Sequence, residues 1–299
     1  MSTATIAGVP YAGLEQYLVH LYSTTQAGTR VWADAEGRAT GRYFNSTLTS
    51  AFQPVRVLGT DRIVGYEGFA RSYSRSSSDS DQGLCLWKLL DHAANDDESV
   101  ELDRLCRMLH SINFFRQPES AGSDLYLSVH ARLLAAVDGN HGTAFSRILK
   151  LLDLPKERVV LQLPVIVEHQ GWLANYVADN YRRNGFRIAV NAVDSLEALA
   201  LVDHVRPEVV KVDTRQTVHD GPALRLLDKC AARNVRVIFK RVEHADTLDA
   251  LNRIAAVSGL PIHAQGFLWD LPNASIAAVG RKEVVLAGQQ EAPRRLGVA

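Results

Sequence analysis

The sequence predicts an α/β protein whose main part is a TIM-type (β/α)8 barrel, preceded by a small N-terminal helix and hairpin. Short apolar runs alternate with longer segments of helical apolar spacing along most of the 299 residues. One such unit joins the runs 188–190 and 209–212 through the helical segment 195–204. A strand, a crossover helix and a second strand form a βαβ unit, and its repetition predicts a mostly parallel sheet.

The number of extended segments favours a closed barrel over an open sheet. Eight such segments are predicted, at 52–57, 62–70, 125–129, 159–163, 188–190, 209–212, 235–239 and 264–269. Helical segments are predicted at 101–115, 131–152, 171–184, 195–204, 223–234 and 245–257. Eight strands with at least six crossovers fit a TIM-type barrel. The first two segments form a hairpin, so the first strand is expected to be an irregular, antiparallel one.

The segment before the barrel is predicted to hold one helix and one hairpin. Apolar side chains recur at helical spacing over residues 12–24, at Leu14, Tyr17, Leu18 and Leu21. Residues 32–44 enclose a turn signal, Ala-Glu-Gly-Arg, between short extended pieces. We expect this extension to cap the bottom of the barrel.

The chain is therefore divided into three parts. Residues 1–47 form the N-terminal extension, residues 48–285 form the barrel, and residues 286–299 form a flexible C-terminal tail. Within the barrel, residues 72–83 are rich in serine, and such low-complexity composition predicts a mobile loop above the second strand.

Composition excludes several classes of protein. The chain has 33 basic and 33 acidic residues, so no net field would attract nucleic acid or an acidic membrane surface. The N-terminus lacks a signal-peptide pattern, and no run approaches the roughly 18 apolar residues of a membrane span. A cytoplasmic location is expected. The three cysteines, Cys85, Cys106 and Cys230, are scattered and predicted to be reduced thiols.

Polar side chains follow the predicted strands at the ends where chemistry collects in such folds. Asn191 and Lys211 end two strands that are one crossover apart, so both are expected to face the barrel mouth. Short motifs occur in order at the strand ends: Ala51-Phe52-Gln53-Pro54-Val55, Tyr66-Glu67-Gly68-Phe69, Leu127-Ser128-Val129-His130, Lys211-Val212-Asp213, Val242-Glu243 and Gln265-Gly266-Phe267. In this order, from about residue 50 to residue 272, they resemble the EAL family. That family comprises TIM-barrel phosphodiesterases of the bacterial second messenger cyclic di-GMP.

The resemblance implies an EAL-type barrel in which active members hold two Mg²⁺ or Mn²⁺ ions on strand-end carboxylates. By position, Glu67, Lys211 and Gln265 match the glutamate, lysine and glutamine of the family. The remaining positions differ: His130 replaces an asparagine, Gln162 a glutamate, Asn191-Ala192 an aspartate pair, and Lys240 the first glutamate of Glu-Gly-Val-Glu.

These differences change the charge of the pocket. Four of five family carboxylates are lost and one of those positions carries Lys240, so the pocket is five charges more positive than in active members. A like-charge pair about 4 Å apart costs roughly 4 kcal/mol at an effective dielectric constant near 20. We therefore expect no metal site, no cofactor and no catalytic residue.

Two functions from different classes fit the altered pocket. As a receptor, the barrel would bind cyclic di-GMP without cutting it, because arginine and lysine side chains suit phosphates and amides suit bases. The pocket residues would be Gln53, Glu67, Arg71, His130, Gln162, Asn191, Lys211, Lys240, Glu243 and Gln265. As a non-catalytic regulator, the protein would act through its outer surface, with Lys240 paired to Glu67 so that the mouth is plugged.

The second function is favoured, because the loop after Asn191-Ala192 lacks the glycines that allow close approach of a nucleotide. A residual phosphodiesterase is a third and weaker alternative. The expected partner is thus a protein, with cyclic di-GMP as an open second ligand, and the sequence leaves open whether the barrel forms a homodimer. Trp172 and Trp269, at segment ends, are predicted to be core lids.

Overall fold

The computed structural model describes residues 9–23, 30–74, 96–131, 142–165 and 171–276. Its strands are β1 (Val31–Ala33), β2 (Ala39–Tyr43), β3 (Ser46–Val57), β4 (Ile63–Ser74), β5 (Asp124–Ser128), β6 (Val159–Leu163), β7 (Arg187–Ala192), β8 (Val209–Asp213), β9 (Arg236–Lys240) and β10 (His263–Gln265). The α-helices are α1 (Ala12–Ser23), α2 (Asp96–Phe115), α3 (Thr143–Leu151), α4 (Gly171–Arg183), α5 (Ser195–His204), α6 (Asp220–Ala232) and α7 (Ala245–Ser258).

Strands β3 to β10 close into an eight-stranded barrel. Each strand from β4 to β9 pairs in parallel with the next, and β3 closes the ring by pairing antiparallel with both β4 and β10. The prediction of a TIM-type barrel with an antiparallel first strand is thus confirmed. The hairpin predicted in the extension is also present, since β1 and β2 pair antiparallel. Strand β2 also pairs antiparallel with the start of β3.

The β3–β4 pair is longer than the sequence predicts. It runs from Ser46 opposite Ser74 to Arg56 opposite Ile63, with one bulge, and so reaches beyond the barrel wall. Residues 72–74, predicted to start a mobile loop, are therefore strand, because they pair with the arm formed by residues 46–48. The rest of the predicted loop lies outside the described residues.

Two groups of apolar residues make the core. A large cluster fills the space between the strands and the surrounding helices. A second, smaller cluster fills the barrel interior and consists of Val55, Tyr126, Val160, Ala189, Val209 and Ile238, all with no exposed surface. Above this layer, the ammonium of Lys211 lies 5.3 Å from the ring centroid of Tyr126. The packed interior therefore forms the floor on which the polar residues of the mouth stand.

The N-terminal helix packs where the strands begin. Its apolar face, Leu14, Leu18 and Leu21, is buried in the main core. The Gly13 amide donates to Asp153 Oδ2 at 2.8 Å, and Arg158 Nη1 donates to the Tyr11 hydroxyl at 3.0 Å. Both partners lie just before β6, so the start of α1 lies at the end of the barrel opposite to the mouth. Strand β2 does not lie there, because it pairs with residues 46–48, which pair with the carboxyl end of β4. The prediction that the extension caps the bottom of the barrel therefore holds for the start of α1 and not for β2.

Several predicted boundaries differ from the structure. Strand β10 ends at Gln265 rather than residue 269, because the chain turns at Gly266, where a Cβ would come within 2.0 Å of the Val242 carbonyl oxygen. Helix α3 begins at Thr143, and the earlier part of the predicted helix 131–152 falls mostly outside the described residues. The domain division at residue 47 stays a prediction, and the tail 286–299 also falls outside the described residues.

The cysteines and the helices bear on two further predictions. Cys106 and Cys230 are free and buried, in agreement with reduced core thiols, whereas Cys85 is not among the described residues. Of the helices in the described ranges, none is long and apolar enough to cross a membrane.

Candidate functional site

The carboxylate of Glu67, on β4, is the centre of the polar network at the barrel mouth. Lys211 Nζ donates to its Oε2 at 2.6 Å, and Gln265 Nε2 donates to the same oxygen at 2.9 Å. Gln162 Nε2 donates to Oε1 at 3.1 Å. Residues from β4, β6, β8 and β10 thus converge on one carboxylate, which accepts three hydrogen bonds.

Gln53 extends this network to the chain that follows β10. Gln265 Nε2 also lies 3.0 Å from Gln53 Oε1, and Gln53 Nε2 donates to the Asp270 carbonyl oxygen at 2.7 Å. The Asp270 carboxylate in turn binds Arg56 through Nε and Nη2, at 2.5 and 2.8 Å. Asp270 was not predicted as a site residue, because no sequence pattern marks it.

Burial and charge determine the protonation of the central pair. The side chain of Lys211 is fully buried, and that of Glu67 is 14% exposed. Burial raises the pKa of Glu67, but the Lys211 ammonium, the Gln265 amide and Lys240 together hold it below its usual value. Burial lowers the pKa of Lys211, and the Glu67 carboxylate opposes that effect. The pair is therefore a buried ion pair with hydrogen-bonded oxygens.

Lys240 does not pair with Glu67, and that prediction is wrong. Its Nζ donates to Asn191 Oδ1 at 2.7 Å, and Asn191 Nδ2 donates to the Leu163 carbonyl oxygen at 2.7 Å. The strand register explains the difference, because Lys240 is level with Asp213 and thus two residues nearer the mouth than Lys211. Burial and the Lys211 charge lower the pKa of Lys240 to about 8.

Three predicted pocket residues lie at the rim, away from the Glu67 network. Arg71 is exposed, and its Nη2 donates to the Pro272 carbonyl oxygen at 2.7 Å. The His130 amide donates to Asp103 Oδ1 at 3.2 Å, so the buried Asp103 fixes the backbone after β5. Glu243, just after β9, is exposed. The structure therefore brings seven of the ten predicted residues into two contacting groups and leaves these three at the edge.

The turn after β9 was not predicted to matter. Arg241 has a φ of 64°, in the left-handed region that residues with a Cβ seldom adopt. The Thr214 hydroxyl lies 3.0 Å from the carbonyl oxygens of both Lys240 and Arg241 and holds this turn. Nearby, Asp213 accepts from Arg215 Nε at 3.1 Å. A signal for this turn was present, because Arg241 occupies the glycine position of the motif that the sequence resembles.

Packing against two neighbouring side chains explains why the residue after Glu67 is a glycine, Gly68. A Cβ at Gly68 would lie 3.2 Å from His110 Cγ and from Leu127 Cδ2. His110 is buried with its Nδ1 2.8 Å from Ser50 Oγ, and burial lowers its pKa to about 3. The buried imidazole thus takes the space that an alanine side chain would need next to the site.

Apolar side chains are exposed on the loops and helices that follow β6 and β7, near the mouth. Trp172, in the first turn of α4, is 72% exposed, so its prediction as a core lid is wrong, because its face of the helix is turned away from the barrel. Trp269 packs against the main core, as predicted. Val165 follows β6, and Val193 and Leu196 follow the neighbouring β7; all three are also exposed.

The fold and this site define a class of protein. A closed barrel with an antiparallel first strand carries a glutamate, a lysine and glutamines at the carboxyl ends of its strands, which is the arrangement expected of an EAL-type domain. The sequence profile of the EAL domain family matches residues 42–269, and the chain belongs to this family. No curated protein sequence matches the chain significantly.

Solved structures share this fold. Klebsiella pneumoniae BlrP1 in complex with manganese and cyclic di-GMP has 18% identity and a TM-score of 0.60, over 76% of this chain and 56% of BlrP1. The FimX EAL domain of Pseudomonas aeruginosa, bound to cyclic di-GMP, has 19% identity and a TM-score of 0.58, over 76% and 91%. BlrP1 with FMN and cyclic di-GMP but no metal ions has 16% identity and a TM-score of 0.55, over 76% and 53%. The chain thus spans little more than half the length of BlrP1.

Proposed function

We propose that this protein is a non-catalytic EAL-domain regulator in bacterial cyclic di-GMP signalling and that it acts mainly through protein contacts. The observation that carries the proposal is the ion pair of Glu67 with Lys211, 2.6 Å apart. The one family carboxylate that the mouth retains is already neutralised by a side chain of the protein. It therefore does not offer the negative charge on which the cleavage of a phosphodiester by divalent cations depends.

The donor set around Glu67 does not fit a pair of divalent cations. Mg²⁺ and Mn²⁺ favour carboxylate, carbonyl and water oxygens. Here the nearest groups are the Lys211 ammonium and the amide nitrogens of Gln162 and Gln265, all of which donate to Glu67. Lys240 adds a second ammonium close enough to lower the pKa of Glu67 further. A cation at this place would have to displace these donors and would meet repulsion of several kcal/mol, about 4 kcal/mol for each like charge at 4 Å.

Exposed apolar side chains support protein contacts as the mode of action. Trp172 is 72% exposed, Leu196 57%, Val165 47% and Val193 43%, and all four follow the adjacent strands β6 and β7. Large exposed apolar groups that lie close together mark interaction sites more often than scattered ones do, and tryptophan contributes strongly to binding energy. Their location at the mouth end would place a partner next to the altered site.

A metal-independent receptor for cyclic di-GMP is the second candidate, and one observation favours it. Arg71 and Glu243 are both exposed at the rim, where a guanidinium suits a phosphate and a carboxylate suits a guanine edge. The BlrP1 structure with cyclic di-GMP and no metal ions shows that this ligand and this fold are compatible without metal in that protein. A residual phosphodiesterase remains the weaker third alternative.

Calorimetric titration with cyclic di-GMP, with and without Mg²⁺ or Mn²⁺, separates these functions. The proposal predicts no binding heat under either condition, whereas a receptor would bind in the absence of metal. If binding occurs, Arg71→Gln should weaken it. Arg62→Gln is the matched control, because Arg62 is also exposed but precedes β4, at the opposite end of the barrel. Binding that requires metal and is followed by cleavage would contradict the proposal.

A further inference from the structure

The turn that follows β9 holds an arginine in a conformation that disfavours it. Arg241 has a φ of 64°, where glycine is the residue without steric cost. The Thr214 hydroxyl and its backbone amide fix this turn through the Lys240 and Arg241 carbonyl oxygens, at 3.0 to 3.1 Å. Strained backbone of this kind is found at binding sites more often than elsewhere, which directs attention to what the arginine side chain does.

The side chains at this turn carry more positive than negative charge. Asp213 accepts a bidentate set of contacts from Arg215, with Nη2 at 3.0 Å, whereas Arg241 Nε is 3.7 Å away. Within the described part of the chain, the Arg241 side chain donates no hydrogen bond. The Glu67 carboxylate pairs with Lys211 and also attracts Lys240, and Asp213 pairs with Arg215. Within the described residues, four cations (Lys211, Lys240, Arg241 and Arg215) thus share these two carboxylates.

Lys240 lies close enough to other cations for their charge to lower its pKa. After burial, the charge of Lys211 lowers this pKa most; the Glu67 and Asp213 carboxylates oppose the effect, and Arg241 lowers the pKa by a smaller amount. The side chains of Arg215 and Arg241 are 62% and 33% exposed, so both guanidinium groups can be reached from solvent. An anion bound between the guanidinium groups of Arg215 and Arg241 would reduce the repulsion among the cations at this turn.

We propose that Lys240, Arg241 and Arg215 form a binding site for an oxyanion, a phosphate group or a carboxylate, on the rim of the barrel. Guanidinium groups present two parallel N–H donors that match such groups, and a lysine adds a point charge. The site goes beyond the proposed function, because it stands whether the oxyanion belongs to a small phosphorylated ligand or to an acidic side chain of a partner. Asp213 holds Arg215 in place and thereby preorganises the site.

Titration of the full chain with inorganic phosphate and with acetate, followed by arginine side-chain NMR shifts, tests this site. The wild type should bind at least one of the two. Preference for phosphate assigns a phosphorylated ligand, and preference for acetate assigns a carboxylate. Arg241→Gln removes the guanidinium but keeps a side chain in the left-handed conformation, whereas Arg241→Gly removes both the guanidinium and the backbone strain. Each variant should weaken anion binding by about tenfold or more. Arg241→Gly should not destabilise the protein.

Arg206→Gly is the matched control. Arg206 is also exposed and left-handed, with a φ of 52°, but it precedes β8 at the opposite end of the barrel. This variant should remove backbone strain without any change in anion binding. No response of the wild type to either anion, or equal binding by the wild type and both Arg241 variants, would overturn the proposal.

Discussion

The ammonium of Lys211 lies 2.6 Å from Oε2 of Glu67, and its side chain has no exposed surface. This contact joins strands on opposite sides of the barrel and places the positive charge inside the protein. The ring of Tyr126 lies beneath the ammonium, 5.3 Å away. Because the ion pair is buried, the loss of one partner leaves the other charge without compensation.

The two lysines of the mouth should therefore differ in their effect on stability. Lys211→Met leaves the Glu67 carboxylate buried without its cation and should lower the free energy of unfolding by about 3–5 kcal/mol. Lys240→Met removes one hydrogen bond to Asn191 and a costly buried amine, so the loss should not exceed about 1 kcal/mol. Urea denaturation of both variants measures the contrast. Equal losses would mean that Glu67 depends on Lys240 as much as on Lys211.

The lowered pKa of Lys240 should make the stability of the protein depend on pH. The pKa of Lys240 is about 8 in the folded protein, against 10.5 for an unperturbed lysine, so the unfolded chain binds more protons between these limits. Below about pH 8 the folded protein bears the cost of burying the charged Lys240 ammonium. This cost disappears as the amine loses its proton at higher pH, so the free energy of unfolding increases. The wild type should thus gain stability relative to Lys240→Met between pH 8 and pH 10. Parallel curves for the two proteins would contradict the lowered pKa.

Gly68 should resist replacement by alanine although alanine is small. The added methyl meets His110 and Leu127 at 3.2 Å and should cost about 1–3 kcal/mol of stability. A double-mutant cycle with His110→Ala should show favourable coupling, since the second change opens the space that the first one needs. Gly221→Ala, where the nearest atom is 3.8 Å away, is the control and should not destabilise. Additive effects at positions 68 and 110 would refute the steric explanation.

The exposure of Trp172 predicts that its removal leaves the fold intact. Trp172→Ala should change the free energy of unfolding by less than about 0.5 kcal/mol, because the side chain is 72% exposed. Trp32→Ala, at a side chain that is 7% exposed, is the matched control and should cost about 3–5 kcal/mol. Chemical denaturation measures both. A large decrease in the free energy of unfolding for Trp172→Ala would show that this side chain is part of the core.

The barrel could be predicted from the sequence because its strands are buried on both faces and therefore read as apolar runs. The runs around Ile188 and Val210 are examples. The arm at Ser46 could not be predicted in this way, since serine and threonine there give no apolar pattern and the strand is defined by its pairing with β4. Because of the same pairing, residues 72–74 of the serine-rich segment are strand rather than the predicted loop.

The members of the site were easier to predict than their contacts. Strand-end position alone predicted that Asn191 and Lys211 face the mouth, because parallel strands end at one edge. Glu67 and Gln265 were assigned through the resemblance to the EAL family, and the structure places both in contact with each other and Glu67 in contact with Lys211. The choice of partner for Glu67 depended on the register of β8 against β9, which puts Lys240 nearer the mouth than Lys211. No single segment of sequence contains that register.

Hydrolysis of cyclic di-GMP by the purified protein, in buffer with Mg²⁺ or Mn²⁺, tests the central claim most directly. The products are separated by chromatography after prolonged incubation. Because the Lys211 ammonium already neutralises Glu67, the dinucleotide should remain intact at the level of the enzyme-free control. Cleavage to the linear dinucleotide at the turnover of an ordinary enzyme, on the order of 1 s⁻¹ or more, would contradict the account.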